Sequence, residues 1–316
     1  MKFAVLIPVY NAERYLRECL DSVLSQGVDV FCCDDGSADA SRAILREYSR
    51  LYPQLKFSYQ ENRGVVATRN RLMDELPSDY EAFAFLDADD TVSPGMYSAL
   101  ASAMEEEGAD IAECGMPGNN LSEKTVIADT SRYRLRSTAP GAWINVVNKL
   151  YRRSAVGNIR FREGLKFEED FFFNYEVHAA VGRKVILPEI YYHYRSNPDS
   201  ATNSLNFRNY FDSTSRRVRL SLETFLKARR IPAAIEKEWR QELAKDAYRM
   251  CLKKNLKKNR SSEERRELFM KAGQFFRAIE KECDFRPVGL NWLQRILYRA
   301  SLNGNYPLAR VLALLI

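Results

Sequence analysis

Short apolar runs and segments of helical periodicity alternate along the first part of the chain. The predicted strands lie at residues 3–9, 28–33, 55–59, 82–86 and 110–114. Between them, apolar residues recur every three or four positions, in segments near residues 15–24, 41–51, 65–76 and 94–106. Strands that alternate with amphipathic helices are typical of a mainly parallel sheet with helices on both faces. The pattern therefore predicts an α/β fold.

The alternation ends after Cys114, where Gly, Pro, Asn and Ser become frequent, and a hairpin outside the main sheet is predicted near residues 124–133. From residue 207 onwards, the apolar positions follow only helical periodicity. We therefore predict two domains, one over residues 1–206 that holds the sheet and a helical C-terminal one over residues 207–316.

The two predicted domains carry opposite net charges. Residues 1–206 contain 23 Lys and Arg against 30 Asp and Glu, a net charge of −7, whereas residues 207–316 contain 25 against 12, a net charge of +13. An acidic domain suits a site in which carboxylates hold a cation, and a basic segment suits an anionic membrane surface. A solvated helical surface explains the basic segment equally well. No basic groove with interleaved aromatic residues stands out, so we expect no nucleic-acid partner.

Cysteine usage and hydropathy favour the cytoplasm. The six cysteines form no C-x-x-C pair, and most lie in apolar runs, so we expect free, buried thiols. The apolar run at the N-terminus is too short for a signal peptide, and no stretch approaches the ~20 apolar residues of a membrane span. We expect a cytoplasmic protein that is at most peripheral on the inner face of the membrane.

Polar residues follow four of the predicted strands. Ligands of parallel α/β sheets bind outside the carboxyl ends of the strands. The four polar segments are Pro8-Val9-Tyr10-Asn11, Asp34-Asp35-Gly36-Ser37, Glu61-Asn62-Arg63-Gly64 and Asp87-Ala88-Asp89-Asp90. We therefore expect an aromatic ring, an acceptor carboxylate and an acidic pair to line one cleft.

Asp87 and Asp89 are candidates for a cation site. Two carboxylates one residue apart at the end of a strand can share Mg²⁺ or Mn²⁺, which also binds phosphate oxygens. Taken alone, such a motif is more often an acidic turn before a helix, here the helix near Pro94. The segment 34–37 has a similar alternative as a strand-to-helix turn.

Together, these segments resemble family 2 glycosyltransferases of the GT-A fold. The resemblance covers about the first 90 residues, in the family's order. It rests on Ile7-Pro8-Val9-Tyr10-Asn11, Asp34-Asp35-Gly36-Ser37, Asn62-Arg63-Gly64, Ala67-Thr68-Arg69-Asn70 and Phe85-Leu86-Asp87-Ala88-Asp89-Asp90. It implies a GT-A domain and an inverting enzyme that uses Mg²⁺ or Mn²⁺ to transfer a sugar from a UDP-sugar to an acceptor hydroxyl. By analogy, it also implies work in bacterial surface polysaccharide or glycoconjugate synthesis.

The resemblance assigns donor-binding residues. Pro8 and Tyr10 are expected to pack on the nucleotide base, and Asp35 to accept a hydrogen bond from its ring N–H, which suits uracil. Asn62 is a further expected nucleotide contact. Arg69 is similar in place to an arginine that contacts the diphosphate or the D-x-D segment, which is Asp87-Ala88-Asp89 in this chain. A structural role of Arg69 is equally compatible with the sequence.

The resemblance also assigns the metal ligands and the base. Asp87 would face ribose or metal, and Asp89 would be the main metal ligand. In Glu168-Glu169-Asp170 the matching position is Asp170, which would remove the proton of the acceptor hydroxyl. Glu169 is expected near the diphosphate or the acceptor. Without the resemblance, Asp170 is better explained as an acid stabilised by a helix N-terminus.

Three later residues complete the expected site. The segment 191–195 is similar to one that closes over the diphosphate, where His193 would be a third metal ligand and Arg195 a phosphate contact. A structural role of His193 is equally compatible. Trp143 is expected on the acceptor side.

Residues 291–316 have the pattern of amphipathic helices. They can dock on anionic membrane near a glycan or lipid-linked glycan acceptor. Alternatively, they pack against the other helices or against a second subunit in a homo-oligomer.

Two alternative functions remain. A sugar-1-phosphate nucleotidyltransferase shares a related fold but needs a Gly-rich, basic loop after its first strand, which residues 8–11 do not offer. A non-catalytic nucleotide-sugar-binding protein would recruit a partner through its basic helices, and the intact acidic residues argue against it.

Overall fold

The computed structural model describes residues 1–116, 123–127, 145–163, 169–195, 261–283 and 292–308. The described residues up to 195 belong to one compact unit, and those from 261 onwards belong to a second. The boundary predicted at residue 206 lies outside the described ranges and stays a prediction.

An eight-stranded sheet forms the centre of the first unit. Its strands are β1 (Phe3–Val9), β2 (Asp29–Asp34), β3 (Leu55–Tyr59), β4 (Ala82–Phe85), β6 (Ile111–Gly115), β7 (Thr125–Ile127), β8 (Lys149–Arg152) and β9 (Lys184–Ile190). The order across the sheet is β3-β2-β1-β4-β8-β6-β9-β7. Most neighbouring pairs are parallel, and β8 runs antiparallel to both β4 and β6. The predicted mainly parallel sheet is confirmed.

Helices on both faces explain why a central strand such as β1 is apolar along its whole length. Residues 4–7 of β1 are fully buried, because a parallel strand covered on both faces has no solvated side. The helices of this unit are α1 (Leu16–Leu24), α2 (Ser41–Leu51), α3 (Val65–Glu75), α4 (Met96–Glu106), α5 (Arg153–Val156) and α6 (Glu169–Ala180). The apolar positions of α1 that recur at helical spacing are buried, as predicted.

The hairpin predicted near residues 124–133 is described only in its first part. There, β7 pairs antiparallel with β9 and forms an edge of the main sheet, so the prediction that this segment lies outside the sheet is wrong for residues 125–127. Residues 128–133 lie outside the described ranges.

A small second sheet links two distant segments of the first unit. β5 (Thr91–Val92) pairs antiparallel with β10 (Tyr192–His193), with His193 opposite Thr91. This pairing brings the segment 191–195 beside the turn that follows β4.

The described part of the second unit consists of α7 (Ser262–Cys283) and α8 (Trp292–Leu302), as the helical periodicity predicts. Apolar side chains from both helices are buried, among them Leu268, Phe269, Phe276 and Leu297. Residues 262–283 contain five basic and five acidic residues, so the positive charge of the C-terminal region comes mainly from other residues.

No helix in the described part of the chain is long and apolar enough to cross a membrane. Cys19, Cys32, Cys33 and Cys114 are free and buried.

Candidate active site

The carboxyl ends of β1, β2 and β4 meet at one edge of the sheet because these strands are parallel neighbours. The loops that follow β1 and β2 are tied together: Asn11 N donates to Ser37 Oγ at 3.0 Å, and Ala38 N donates to Asn11 Oδ1 at 2.9 Å. Asn11 has a positive φ of 47°. The neighbouring ring of Tyr10 is 53% exposed, so it offers an open aromatic face at this edge, and Pro8 is partly buried.

Asp35 is buried and holds the loop after β3. Its Oδ1 accepts from Gln60 Nε2 at 2.7 Å and from Arg63 N at 2.8 Å, and its Oδ2 accepts from Gly64 N at 2.8 Å. The exposed Asn62 lies within this loop. Asp35, which is expected to bind the base, therefore also holds the loop that contains Asn62, another expected nucleotide contact.

Arg69 joins three carboxylates. Its Nη2 lies 2.8 Å from Asp87 Oδ1, and its Nη1 lies 2.6 Å from Asp170 Oδ1 and 3.3 Å from Glu169 Oε1. The Arg69 side chain, on α3, is only 4% exposed. Burial lowers the pKa of Arg69, but the three carboxylates outweigh this effect and hold the pKa above its ordinary value. The guanidinium therefore keeps its charge and draws the D-x-D segment and the start of α6 together.

Asp170 lies in the first turn of α6. Burial raises the pKa of its carboxyl to about 7, Glu169 and Asp87 add to this increase, and Arg69 opposes it. A carboxyl with a pKa near neutrality is suited to general-base chemistry, because it is partly ionised and still basic enough to take a proton.

Asp90, which received no role from the sequence, holds the segment 191–195 in place. The buried carboxylate accepts from Tyr192 Oη at 2.5 Å and from Arg195 N at 2.7 Å. Arg195 Nε donates to the carbonyl of Asp89 at 3.0 Å. The only signal in the sequence was the third acid of Asp87-Ala88-Asp89-Asp90.

His193 and Arg195 lie beside the D-x-D turn, with other partners than those expected. His193 Nε2 lies 2.6 Å from Ser93 Oγ. The Arg195 guanidinium pairs with Glu18 and lies 5.0 Å from the ring of Tyr15, both near the start of α1. The expected phosphate contact of Arg195 would require the guanidinium to turn away from Glu18.

Asp87 and Asp89 suit a cation whose remaining ligands would be phosphate oxygens of a bound nucleotide and water. No group of three or more His, Cys, Asp or Glu residues in the described ranges could hold a metal ion. Mg²⁺ in nucleotide sites is commonly bound by only one or two carboxylates together with phosphate oxygens and water. Asp87 and Asp89 supply such a donor set, and both side chains are partly exposed. Trp143 lies outside the described residues.

Relatives with similar sequences are glycosyltransferases by name. EpsJ of Bacillus subtilis, an uncharacterized glycosyltransferase, is 29% identical over 217 residues, which are 63% of this chain and 62% of EpsJ. This alignment thus spans less than two thirds of EpsJ. YibD of Escherichia coli, also an uncharacterized glycosyltransferase, is 27% identical over 281 residues, 79% of this chain and 78% of YibD.

A solved structure has a similar fold. TarS of Staphylococcus aureus (residues 1–349), in complex with UDP-GlcNAc, superposes with a TM-score of 0.74 at 20% identity, covering 99% of this chain and 90% of that one. TarS is named a poly(ribitol-phosphate) beta-N-acetylglucosaminyltransferase. The family model of Glycosyl transferase family 2 matches residues 4–167. Because this match spans more than half of the chain and includes every motif at the strand ends, the protein belongs to glycosyl transferase family 2 and has the GT-A fold.

Proposed function

We propose that the chain is an inverting glycosyltransferase that moves a sugar from a UDP-sugar to an acceptor hydroxyl. One observation carries the proposal: the guanidinium of Arg69 contacts both Asp87, after β4, and Asp170, at the start of α6. The acid expected at the donor diphosphate and the acid expected to act as base are therefore held close together, although 82 residues separate them in sequence.

Asp170 acts as the general base in this proposal. Its carboxylate takes the proton of the acceptor hydroxyl while the hydroxyl oxygen forms a bond to the anomeric carbon. The bond from the anomeric carbon to the β-phosphate oxygen breaks, and its electron pair leaves with UDP. Attack from the face opposite the leaving group inverts the configuration. Arg69 is the group that fixes the orientation of Asp170.

Donor binding is assigned to the edge of the sheet. Tyr10 and Pro8 would pack on the base, and Asp35 and Asn62 would contact the nucleoside. UDP as the nucleotide is supported by the complexes of TarS with UDP and with UDP-GlcNAc. We keep Glu169, Arg195 and Trp143 as proposed diphosphate or acceptor contacts.

Asp89 and Asp87 would hold Mg²⁺ or Mn²⁺, with His193 as a proposed further ligand. Once bound there, the cation would offset the negative charge of the diphosphate. The two partly exposed carboxylates support this assignment.

The cellular role is proposed from the named relatives. The transferase would act in the cytoplasm on a glycan or lipid-linked glycan of the bacterial surface, with no nucleic-acid partner. Contact with the inner face of the membrane or with a second copy is assigned to the C-terminal helices. Flotation of the full chain with anionic liposomes would test the membrane contact, and the absence of lipid dependence would remove it.

Release of UDP from UDP-sugars in the presence of Mg²⁺ or Mn²⁺ tests the activity. We expect turnover by the wild type and loss of turnover in Asp89→Asn and in Asp170→Asn. Asp79→Asn is a matched control, because Asp79 is an exposed partner of Lys2. Full turnover in both site variants would refute the assignment, and metal-dependent UDP binding without turnover would favour the non-catalytic alternative.

A further inference from the structure

Three buried, charged side chains come from neighbouring strands of the sheet, and none of them is among the residues assigned to the donor. Glu113 on β6 lies between Lys149 on β8 and Lys184 on β9, and all three side chains are at most 1% exposed. Lys149 Nζ is 3.3 Å from Glu113 Oε2, and Lys184 Nζ pairs with the same oxygen. Buried charges are costly unless they are paired, and apolar residues of similar volume would often be equally stable. Stability alone is therefore a poor explanation for this cluster.

Hydrogen bonds connect the cluster to α6. Lys184 Nζ lies 3.3 Å from His178 Nε2, and His178 Nδ1 lies 2.7 Å from the carbonyl oxygen of Asn174. Burial, and then the charge of Lys184, lowers the pKa of His178 well below its ordinary value, so the ring is neutral. A carbonyl oxygen can only accept, so Nδ1 carries the proton and Nε2 accepts from the ammonium of Lys184.

A second connection reaches the same helix from β8. Tyr151 Oη donates to Asn174 Oδ1 at 2.6 Å, and both residues are fully buried. The ring of Tyr151 packs on Phe83 and Phe173, with centroids 5.7 Å away in both cases. The hydroxyl therefore points at α6 from a ring that is itself held by packing.

The spacing along α6 relates these contacts to the proposed base. Asp170, Asn174 and His178 follow each other at intervals of four residues, so they lie along one face of the helix. Apolar packing is non-directional, whereas hydrogen bonds require a defined distance and angle. Contacts at Asn174 and His178 therefore fix the position of α6 along its axis, and with it the position of Asp170.

The charges of the cluster also link it to Asp170. Two ammonium groups and one carboxylate leave the cluster with an excess positive charge, whereas Arg69 is surrounded by three carboxylates. Lys149 opposes the rise in the pKa of Asp170, as Arg69 does.

We propose that Tyr151, His178 and Lys184 are positioning residues that hold the Asp170 carboxylate at the acceptor hydroxyl. This inference rests on the proposed function, because it assigns Asp170 as the base. None of the three residues contacts a reacting atom in this proposal, and each acts through α6.

Two variants with small changes in volume test the inference. Tyr151→Phe deletes one hydroxyl, and His178→Phe removes the link between Asn174 and Lys184. Tyr97→Phe is the matched control, because the Tyr97 hydroxyl is also buried but has no hydrogen-bond partner among the described residues. The measurements are kcat per UDP-binding site, KM for the donor, UDP affinity by calorimetry, and the melting temperature.

We expect kcat per site to fall by about tenfold to a hundredfold in Tyr151→Phe and His178→Phe, as a small misplacement of a catalytic group can cause. The donor KM and the UDP affinity should stay at wild-type values, and Tyr97→Phe should keep the wild-type kcat. If His178→Phe binds no UDP, that variant has not folded, and the kcat per site of Tyr151→Phe alone tests the inference.

Two other outcomes distinguish failure of this inference from failure of the proposed function. A lower melting temperature with wild-type kcat per site would show that the network only stabilises the fold, and would overturn the inference while the proposed function stands. No turnover by the wild type with any UDP-sugar would overturn the proposed function, and the inference with it.

Discussion

Arg69 Nη1 lies 2.6 Å from Asp170 Oδ1, across 101 positions of the chain. The pair joins α3 to α6, and the other nitrogen of the same guanidinium reaches Asp87. A planar fork of N–H donors can hold two carboxylates in fixed directions, which a lysine ammonium cannot do. The geometry of the proposed donor and acceptor sides therefore depends on one side chain.

Replacement of Arg69 should destabilise the fold much more than replacement of Arg71. Arg69→Met leaves carboxylates in a partly buried place without their cation, and we expect the free energy of unfolding to fall by about 3 kcal/mol. Arg71 forms a surface pair with Glu75 and also donates to the carbonyl oxygen of Tyr59, so Arg71→Met should cost no more than about 1 kcal/mol. Urea denaturation followed by circular dichroism measures both values. Similar losses in the two variants would contradict the role of Arg69 as the hub of the site.

The pH dependence of transfer should follow the ionisation of Asp170. A base must be unprotonated, and the pKa of this carboxyl is raised to about 7, so kcat/KM should increase with pH and level off above that value. Burial has the largest effect and raises this pKa, Arg69 and Lys149 lower it, and Glu169 and Asp87 raise it further. Initial rates in buffers of constant ionic strength give the profile. Lys149→Met should move the rising limb to higher pH. A profile that is flat around neutrality would argue against Asp170 as the base.

Gly36 should tolerate alanine less well than Gly27, although both glycines have a positive φ. A Cβ at Gly36 would lie 2.8 Å from Asn62 N, whereas a Cβ at Gly27 would meet nothing within 4 Å. Gly27→Ala should cost about 1–2 kcal/mol of backbone strain and leave UDP binding unchanged. We expect Gly36→Ala to cost more and to weaken UDP binding, because the loop with Asn62 must move. Calorimetric titration with UDP distinguishes the two, and equal affinities would contradict this loop contact.

Asp35→Asn should weaken UDP binding by about tenfold or more. The amide NH₂ of Asn would face an N–H donor where one carboxylate oxygen now accepts, either at Gly64 or at Gln60 and Arg63, and a buried donor without a partner costs about 1–3 kcal/mol. Asp29→Asn is a suitable control, because the Asp29 carboxylate accepts from the Tyr80 hydroxyl and an amide oxygen can do the same. Wild-type UDP affinity in Asp35→Asn would contradict the proposed role of this residue.

Local patterns predicted the first part of the fold and the residues that meet there. Each strand from β1 to β4 is a short, mainly apolar segment, and parallel pairing alone brings the ends of β1, β2 and β4 to one edge. The contact of Arg69 with Asp87 could be anticipated only through the family resemblance. Its contact with Asp170 was not anticipated, because no periodic pattern relates α3 to α6.

The polar network inside the sheet could not be predicted. Lys149 and Lys184 are charged residues that a sequence pattern places on the surface, and their burial depends on Glu113, which comes from a third strand. The antiparallel pairing of β8 with its two neighbours could not be predicted either. Its partners, β4 and β6, are fixed by non-local pairing and not by the composition of its four residues.

The place of β8 also determines when the two groups of strands on either side of it can be joined during synthesis. β8 is the only strand that joins β3-β2-β1-β4 to β6-β9-β7 in the described sheet. Until residues 149–152 leave the ribosome, the open side of β4 has no hydrogen-bonding partner, and an unpaired strand edge invites pairing with other chains. A nascent chain that stalls before Arg152 should therefore be the species most prone to aggregate and most in need of a chaperone.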